Sequence, residues 1–213
     1  MKATVISGGK KLDPTIIKRE IKNSYIICAD SGIKNLRDLK IKPDLLLGDF
    51  DSIEDLDRKK LEDKEIEILK FPKEKDGTDT EMALEEAIKR GFDQITILAM
   101  SGTRLDHTLA NLFLLEKIYN KKIKAKAVDN NNEIIFAGPG QYIFKKDENY
   151  KYISLVPVSE EVIFSTENMA YEVKSLLIKR ETSRAISNEM KKGKEASKII
   201  IEKGKTFIIR SVD

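Results

Sequence analysis

The chain has 213 residues, of which 40% are hydrophobic and 35% are charged, enough for a buried core beneath a well-solvated surface. Its 39 Lys and Arg residues nearly balance its 36 Asp and Glu residues, which argues against nucleic acid as the main partner. The single cysteine, Cys28, excludes an internal disulfide and a cysteine-based zinc site. No apolar run approaches the roughly 18 residues of a membrane span, and the N-terminus shows no signal-peptide pattern, so we expect a cytoplasmic protein without a membrane partner.

Up to residue 128, short apolar runs alternate with helical patterns. Residues 81–90 place Leu84, Ala87 and Ile88 on one helical face, and Gly91 follows as a typical residue after a helix end. A broad apolar stripe predicts a second helix over residues 106–119. Strands separated by such helices favour a Rossmann-like α/β domain, with a mainly parallel sheet and helices on both faces. The predicted strands are 4–6, 25–29, 44–47, 66–69, 94–99 and 123–128.

After the turn signals at residues 129–132 the pattern changes to short strand-like runs with few helices between them. This predicts a smaller antiparallel β-sandwich. We therefore expect an α/β domain over residues 1–129 and a β-sandwich domain over residues 130–213. The predicted strands of the second domain are 133–137, 141–144, 152–156, 161–164, 170–178, 197–202 and 206–210.

The first acidic motif, Asp49-Phe50-Asp51, follows the third predicted strand. Side chains two residues apart point the same way at a strand end, so both carboxylates can face one cation while Phe50 turns back into the protein. Oxygen ligands of this kind suit Mg²⁺, which often shares its ligand shell with substrate phosphates. The alternative is a polar loop in which Asp51 caps the next helix.

The second acidic motif opens the helix predicted at residues 81–90. Thr78 and Glu81 have the spacing of a capping box, which places Asp79 in the first helical turn. Parallel strands end at one edge of a sheet, so Asp79 becomes a third metal-ligand candidate beside Asp49 and Asp51, and Asp76 a weaker fourth. Alternatively, Asp79 only interacts with the helix dipole.

The third motif runs from Gly102 to His107 after the fifth predicted strand. Gly102 exposes backbone N–H groups, and Arg104 offers a planar fork of donors suited to phosphate oxygens. Asp106 lies at the helix start, where it can contact a nucleotide or simply cap the helix. His107, the only histidine, can contact a nucleotide or simply be a surface group. Two further loops, residues 7–10 and 29–32, are glycine-containing and can approach a nucleotide closely.

Together, segments 29–32, 48–52, 76–79, 102–107 and 187–189, with Leu109 and Asn111, resemble the signature of the thiamine pyrophosphokinase family. The resemblance covers nearly the whole chain. It implies an enzyme that transfers the pyrophosphoryl group of ATP to the hydroxyl of thiamine, giving thiamine diphosphate and AMP. It also implies a Mg²⁺ cofactor, and a homodimer in which thiamine lies between the α/β lobe of one subunit and the β lobe of the other.

The resemblance assigns Asp49, Asp51 and Asp79 as the catalytic, metal-binding carboxylates, and Ser187 and Asn188 as thiamine-binding residues. The chain departs from the family pattern at Ser31 and Thr103 and has no tryptophan to stack on thiamine, so a tyrosine or phenylalanine would take that role. The nucleotide-binding residues implied are Asp30, Gly32, Asp76, Thr78, Gly102, Arg104, Asp106 and His107.

Three alternatives remain open from the residues. One is a pyrophosphokinase of the same fold acting on another hydroxymethyl substrate, such as a pterin. Another is a haloacid-dehalogenase-like phosphatase, because Asp49 and Asp51 resemble that family's Asp-x-Asp nucleophile, although here they follow the third strand instead of the first. The last is a non-catalytic nucleotide-binding module, which has less need of several carboxylates at one edge.

Overall fold

The computed structural model describes residues 1–50, 65–72, 74 and 76–213. The chain divides into two compact units, Met1–Asn130 and Asn131–Asp213. The described strands of the first unit are β1 (Lys2–Ile6), β2 (Tyr25–Ala29), β3 (Leu45–Gly48), β4 (Glu67–Lys70), β5 (Gln94–Leu98) and β6 (Lys124–Val128). Its described helices are α1 (Pro14–Glu20), α2 (Lys34–Arg37), α3 (Asp79–Lys89) and α4 (Leu105–Asn120), with a 3₁₀ turn at Asp30–Ile33.

The strands of the first unit lie in the order β6-β5-β1-β2-β3-β4. Each neighbouring pair is parallel. The apolar runs explain this sheet, because β1, β2, β3 and β5 are buried along almost their whole length, which is typical of parallel strands. The chain builds outward from β1 to β4 and then returns to the other side of β1. A topological switch point therefore lies between β1 and β5.

Apolar residues of the helices contribute to the buried core of the first unit. Ile17 of α1 and Leu36 of α2 belong to one apolar cluster with strand residues that include Ile6 and Cys28. The neighbouring strand residues, such as Val5, are also buried, as are apolar residues of α3 and α4. The buried apolar residues of α3 and α4 are Ala83, Leu84, Ala87, Leu115 and Ile118.

An ion pair of the buried Glu20 ties the end of α1 to strand β6. Glu20 is only 5% exposed, and its carboxylate accepts hydrogen bonds from Lys126 at 2.9 Å and Arg19 at 3.0 Å. Burial raises the pKa of the Glu20 carboxyl, but the hydrogen bonds and charges of Lys126 and Arg19 outweigh it, so the pKa lies below its ordinary value. Glu20 therefore stabilises the fold when it is ionised.

Glu20→Gln is expected to lower the free energy of unfolding by about 1–3 kcal/mol near neutral pH, because it leaves a partly buried lysine without its carboxylate. A lowered folded-state pKa gives stability that is present above the unfolded-state pKa and is lost as pH falls through the folded-state value. Urea unfolding should thus show a difference from wild type that shrinks below about pH 4. The control Glu148→Gln, at an exposed ion pair with Lys146, should change little. A pH-independent difference would contradict this role.

The second unit contains two antiparallel sheets that share one core. Pairings give the orders β12-β9-β14-β7 and β11-β10-β13-β8. Buried residues of both sheets, such as Leu155 and Ile199, belong to one apolar cluster. The strands are β7 (Asn132–Ala137), β8 (Gly140–Lys145), β9 (Tyr152–Pro157), β10 (Glu161–Glu167), β11 (Leu176–Lys179), β12 (Asn188–Glu189), β13 (Ala196–Lys203) and β14 (Thr206–Ser211).

The predicted two-domain class, an α/β unit followed by an antiparallel β unit, is confirmed. The helix predicted over residues 81–90 is α3, and Thr78 caps it by accepting the backbone N–H of Glu81 at 3.2 Å. The strand predicted over residues 170–178 is wrong in extent, since only Leu176–Lys179 is a strand, and the short β12 was missed. No helix in the described part of the chain is long and apolar enough to cross a membrane.

Candidate functional site

A cleft of about 960 Å³ lies at the carboxyl ends of the parallel strands in the first unit. Its walls come from the loops that follow β1 and β5, on the two sides of the switch point, and from the start of α3. Ligands of open α/β sheets bind at this place. Of the residues predicted to bind nucleotide or metal, the cleft is lined by Asp30, Asp76, Thr78, Asp79, Gly102, Arg104 and His107.

Backbone hydrogen bonds hold the two loops side by side. The N–H of Ser7 donates to the carbonyl of Leu98 at 2.9 Å, and the N–H of Gly9 donates to that of Ala99 at 2.8 Å. The N–H of Lys10 continues the ladder to Ser101 at 2.9 Å. A Cβ at Gly9 would lie 2.2 Å from the carbonyl oxygens of both Ala99 and Ser101, so this approach requires glycine.

The start of α3 is fixed to the same wall. The Thr80 hydroxyl donates to the Ser7 hydroxyl at 3.0 Å in a buried contact, which joins the first turn of the helix to the end of β1. Asp79 is the first residue of α3, next to the capping Thr78. The Glu81 carboxylate accepts from Lys117 of α4 at 2.7 Å. Asp76, Thr78 and Asp79 are therefore presented to the cleft from a helix N-terminus that is anchored on two sides.

Arg104 and Asp106 form a two-point ion pair at the start of α4. Arg104 donates from Nε to Oδ1 of Asp106 at 3.2 Å and from its terminal nitrogen to Oδ2 at 2.6 Å. These bonds and the backbone N–H of His107 lower the pKa of Asp106 to about 2, so it stays ionised throughout any working pH range. Arg104 is the residue before the helix, and Asp106 does not cap it. Arg104 is one of the residues that line the cleft. Asp106 does not line it, but its carboxylate orients the guanidinium of Arg104.

Three strand ends near the cleft carry backbone strain. Asp30 after β2, Phe50 after β3 and Ala99 after β5 have φ values of 36°, 63° and 53°. Residues with a side chain rarely adopt this left-handed region, and such strain clusters at functional sites. Phe50 is buried in the core as expected. Asp49 is the first residue after β3, which ends at Gly48.

Gly32 has a packing role that the structure makes clear. A Cβ at Gly32 would lie 2.3 Å from the carbonyl oxygen of Ile6, so glycine lets the 3₁₀ turn pack directly beneath the end of β1. Gly32 is buried and is not among the residues that line the cleft. Its predicted contact with nucleotide remains a prediction.

The donor atoms of the cleft suit a hard cation. Asp30, Asp76 and Asp79 bring carboxylates, and Ser7, Thr78 and Thr80 bring hydroxyls. Within the described ranges, no group of three or more His, Cys, Asp or Glu side chains is arranged to hold a metal ion. Asp51 lies outside the described residues. The fit is with Mg²⁺, which keeps several waters and binds through one or two carboxylates together with substrate phosphates.

The structure adds lysines to the cleft. Lys10 lies in the loop of residues 7–10 that was expected to approach a nucleotide, and it lines the cleft together with Lys11 and Lys34. Lys34 also donates to the carbonyl of Gly8 at 2.9 Å. For Lys10 the available signal was its place directly after a glycine pair at the end of β1. With Arg104, these side chains provide positive charge for a polyphosphate.

Ser187 and Asn188 lie in the second unit. Ser187 has a φ of 59°, and its N–H donates to the Ser154 hydroxyl at 2.9 Å. The Asn188 amide is engaged with the backbone of Tyr171, accepting its N–H at 3.0 Å and donating to its carbonyl at 2.8 Å. Their predicted contact with thiamine remains a prediction.

The chain is similar to known proteins over both of its units. Residues 17–127 match the family model of the thiamin pyrophosphokinase catalytic domain. The chain belongs to the thiamine pyrophosphokinase family. Residues 141–206 match that family's vitamin B1 binding domain. Thiamine pyrophosphokinase of Bacillus subtilis (strain 168) is 34% identical over 98% of both chains.

Solved structures of the thiamine pyrophosphokinase family share the fold. A crystal structure of thiamine pyrophosphokinase from Bacillus subtilis covers all of both chains with a TM-score of 0.91 and 32% identity. One from Geobacillus thermodenitrificans covers 100% of this chain and 98% of its own, with a TM-score of 0.88 and 28% identity. The prediction of an enzyme with the pyrophosphokinase reaction of this family is thereby confirmed, in preference to a phosphatase or a non-catalytic module.

Proposed function

We propose that this chain is a Mg²⁺-dependent thiamine pyrophosphokinase whose first unit, residues 1–129, binds ATP and metal and whose second unit, residues 130–213, binds thiamine and forms the dimer. The observation that carries the proposal is the cleft at the switch point between β1 and β5, which combines carboxylates with Lys10, Lys34 and Arg104. A magnesium–polyphosphate complex needs both kinds of charge. We also infer that the first unit is Rossmann-like, with helices on both faces of its parallel sheet.

The residues of the cleft divide by their chemistry. Arg104, held by Asp106, is assigned to a phosphate group of ATP, because its planar donors are already oriented. Gly102 lets the nucleotide approach the backbone. The remaining nucleotide-binding assignments are Asp30, Asp76, Thr78 and His107 in the lining and Gly32 outside it.

Asp49, Asp51 and Asp79 are the residues that would hold Mg²⁺. Asp49 directly follows β3, and Asp79 begins α3. The bound cation would neutralise the negative charge of the phosphates of ATP. Asp79 lines the cleft, whereas Asp49 lies just beyond the end of β3 and is not among the residues that line it.

The reaction is a nucleophilic substitution at phosphorus. The primary hydroxyl oxygen of thiamine forms a bond to the β-phosphorus of ATP, and the bond from that phosphorus to the bridging oxygen of the α-phosphate breaks. AMP leaves with those electrons, and the hydroxyl proton passes to a carboxylate, for which Asp49, Asp51 and Asp79 are the available groups. Such transfers depend mainly on positioning and charge stabilisation.

The second unit is assigned to the binding of thiamine, the acceptor of the pyrophosphoryl group. We infer a cytoplasmic homodimer in which Ser187 and Asn188 of one subunit serve the nucleotide cleft of the other. The match of residues 141–206 to a vitamin B1 binding domain supports thiamine as its ligand. Analytical ultracentrifugation during turnover tests the arrangement, and a fully active monomer would contradict it. Neither nucleic acid nor membrane is part of the proposal.

Incubation with ATP, Mg²⁺ and thiamine should yield AMP and thiamine diphosphate in equal amounts. AMP identifies pyrophosphoryl transfer, whereas ADP would indicate transfer of a single phosphoryl group. A hydroxymethyl pterin in place of thiamine serves as the matched control and should give no AMP. Production of ADP, or AMP formation with the pterin alone, would contradict the proposal.

A further inference from the structure

Ser31 presents a hydroxyl group to the cleft that the proposed function does not use. The residue is half-buried, lines the cleft, and lies in the 3₁₀ turn that follows β2. Among the residues that the structure describes, none forms a hydrogen bond with its Oγ. A hydroxyl group carries one donor and two acceptor sites, so this one can bond a ligand. Ser31 is also a position at which the chain departs from the pattern of its family, so any such role belongs to this chain.

The missing side chain at Gly8 makes room for this hydroxyl. A Cβ at Gly8 would lie 2.2 Å from the Oγ of Ser31, and the other atoms within 4 Å of it belong to Ser31 and Gly32. Gly32 in turn packs against the end of β1, where its Cβ would lie 2.3 Å from the carbonyl oxygen of Ile6. The backbone that carries Ser31 is therefore fixed beside the loop after β1, so little order has to be gained when a ligand binds.

Asp30 and Ser31 lie beside different strand ends. A Cβ at Gly48, the last residue of β3, would lie 2.9 Å from the Cβ of Asp30. Ser31 lies instead against Gly8, whose carbonyl accepts a hydrogen bond from the cleft-lining Lys34 at 2.9 Å. The turn thus places its carboxylate towards the proposed metal ligand after β3 and its hydroxyl beside a cation. Phosphate oxygens are favoured beside the cation.

We propose that the hydroxyl of Ser31 donates a hydrogen bond to a phosphate oxygen of ATP. This inference rests on the proposed function, in which the cleft holds the magnesium complex of ATP. A hydrogen bond to a charged oxygen is stronger than one between neutral groups. Side chains three residues apart in a 3₁₀ turn lie on the same side, and Lys34 follows Ser31 at this spacing at the end of the turn. Both groups can therefore bind the triphosphate from one wall.

Ser31→Ala is expected to raise the KM for ATP about 10-fold, the loss typical of one hydrogen bond to a charged group. The kcat and the KM for thiamine should stay within about twofold of wild type, because the contact is made equally before and during the reaction. The melting temperature should not change, since the hydroxyl has no partner in the described part of the chain. Ser211→Ala, at a half-buried serine of β14 in the second unit, is the matched control and should leave all four quantities as they are.

Titration calorimetry with inorganic triphosphate and Mg²⁺ tests the phosphate contact without turnover. The Kd of triphosphate should rise about 10-fold in Ser31→Ala, whereas that of adenosine, which carries only ribose and base, should stay the same. Weaker binding of adenosine with unchanged binding of triphosphate would place the hydroxyl at the nucleoside and overturn the inference. A wild type that binds triphosphate but forms no thiamine diphosphate would overturn the proposed function alone.

Gly8→Ala tests the position of the hydroxyl independently. Its methyl group would meet the Oγ of Ser31 at 2.2 Å, and this hydroxyl can turn away because it ends a rotatable side chain. The Kd of triphosphate should therefore rise as it does in Ser31→Ala, and Gly8→Ala should add nothing in the Ser31→Ala background. Additive increases in Kd, or an unchanged Kd in Ser31→Ala, would overturn the inference.

Discussion

Asp79→Asn is expected to lower kcat on the order of 10²–10³-fold, with little change in the free energy of unfolding. Asparagine keeps the shape of the side chain but removes the negative charge that would hold Mg²⁺ against the phosphates. The helix should persist, because Thr78 provides the cap and the buried bond from Thr80 to Ser7 anchors the first turn. The interaction of Asp79 with the helix dipole contributes only about 0.3–1 kcal/mol.

Replacing aspartate by asparagine at residues 49, 79 and 93 in turn separates metal binding from a general effect of lost negative charge. Asp49→Asn should behave like Asp79→Asn, and each variant should need more Mg²⁺ for half-maximal rate. Asp93→Asn is the control. Asp93 directly precedes β5, at the amino ends of the parallel strands and so away from the cleft, and it pairs with the N-terminal amine at 2.5 Å. Its kcat and Mg²⁺ dependence should match wild type. An Asp79→Asn enzyme with an unaltered kcat would remove Asp79 from the metal site.

The carboxyl-end motifs were predictable because strand periodicity and turn chemistry are local properties. Asp49 follows an apolar run, and Thr78 and Glu81 have cap spacing, so their places at one sheet edge followed from the βα alternation alone. Lys34 was not predictable in this way. It reaches the cleft because the 3₁₀ turn at Asp30–Ile33 packs under β1, a contact that depends on residues far apart in the sequence.

The error at residues 170–178 has a comparable cause. Tyr171 and Val173 favour a strand by intrinsic preference, and their spacing is that of an alternating strand. The backbone of Tyr171 is instead bonded by the Asn188 side chain, and the N–H of Val173 donates to the Thr166 hydroxyl at 3.0 Å. Tertiary hydrogen bonds outweighed local propensity in this segment.

Gly9→Ala is expected to lower the free energy of unfolding by about 1–3 kcal/mol and to raise the KM for ATP about 10-fold or more. The added methyl group would meet the carbonyl oxygens of Ala99 and Ser101 at 2.2 Å. Both are backbone atoms and cannot rotate away, so the loop after β1 must separate from the loop after β5. That separation breaks the hydrogen bonds from Gly9 and Lys10 and widens the cleft at the switch point.

Gly102→Ala provides the matched comparison, because its Cβ would come no closer than 4.0 Å to the Cα of Gly9. Its free energy of unfolding should stay the same or rise slightly, since alanine restricts the unfolded chain. A raised KM for ATP in this stable variant would then report direct approach of the nucleotide to the backbone at residue 102. If Gly9→Ala instead unfolds like wild type and keeps its KM for ATP, the two loops do not set the width of the nucleotide cleft.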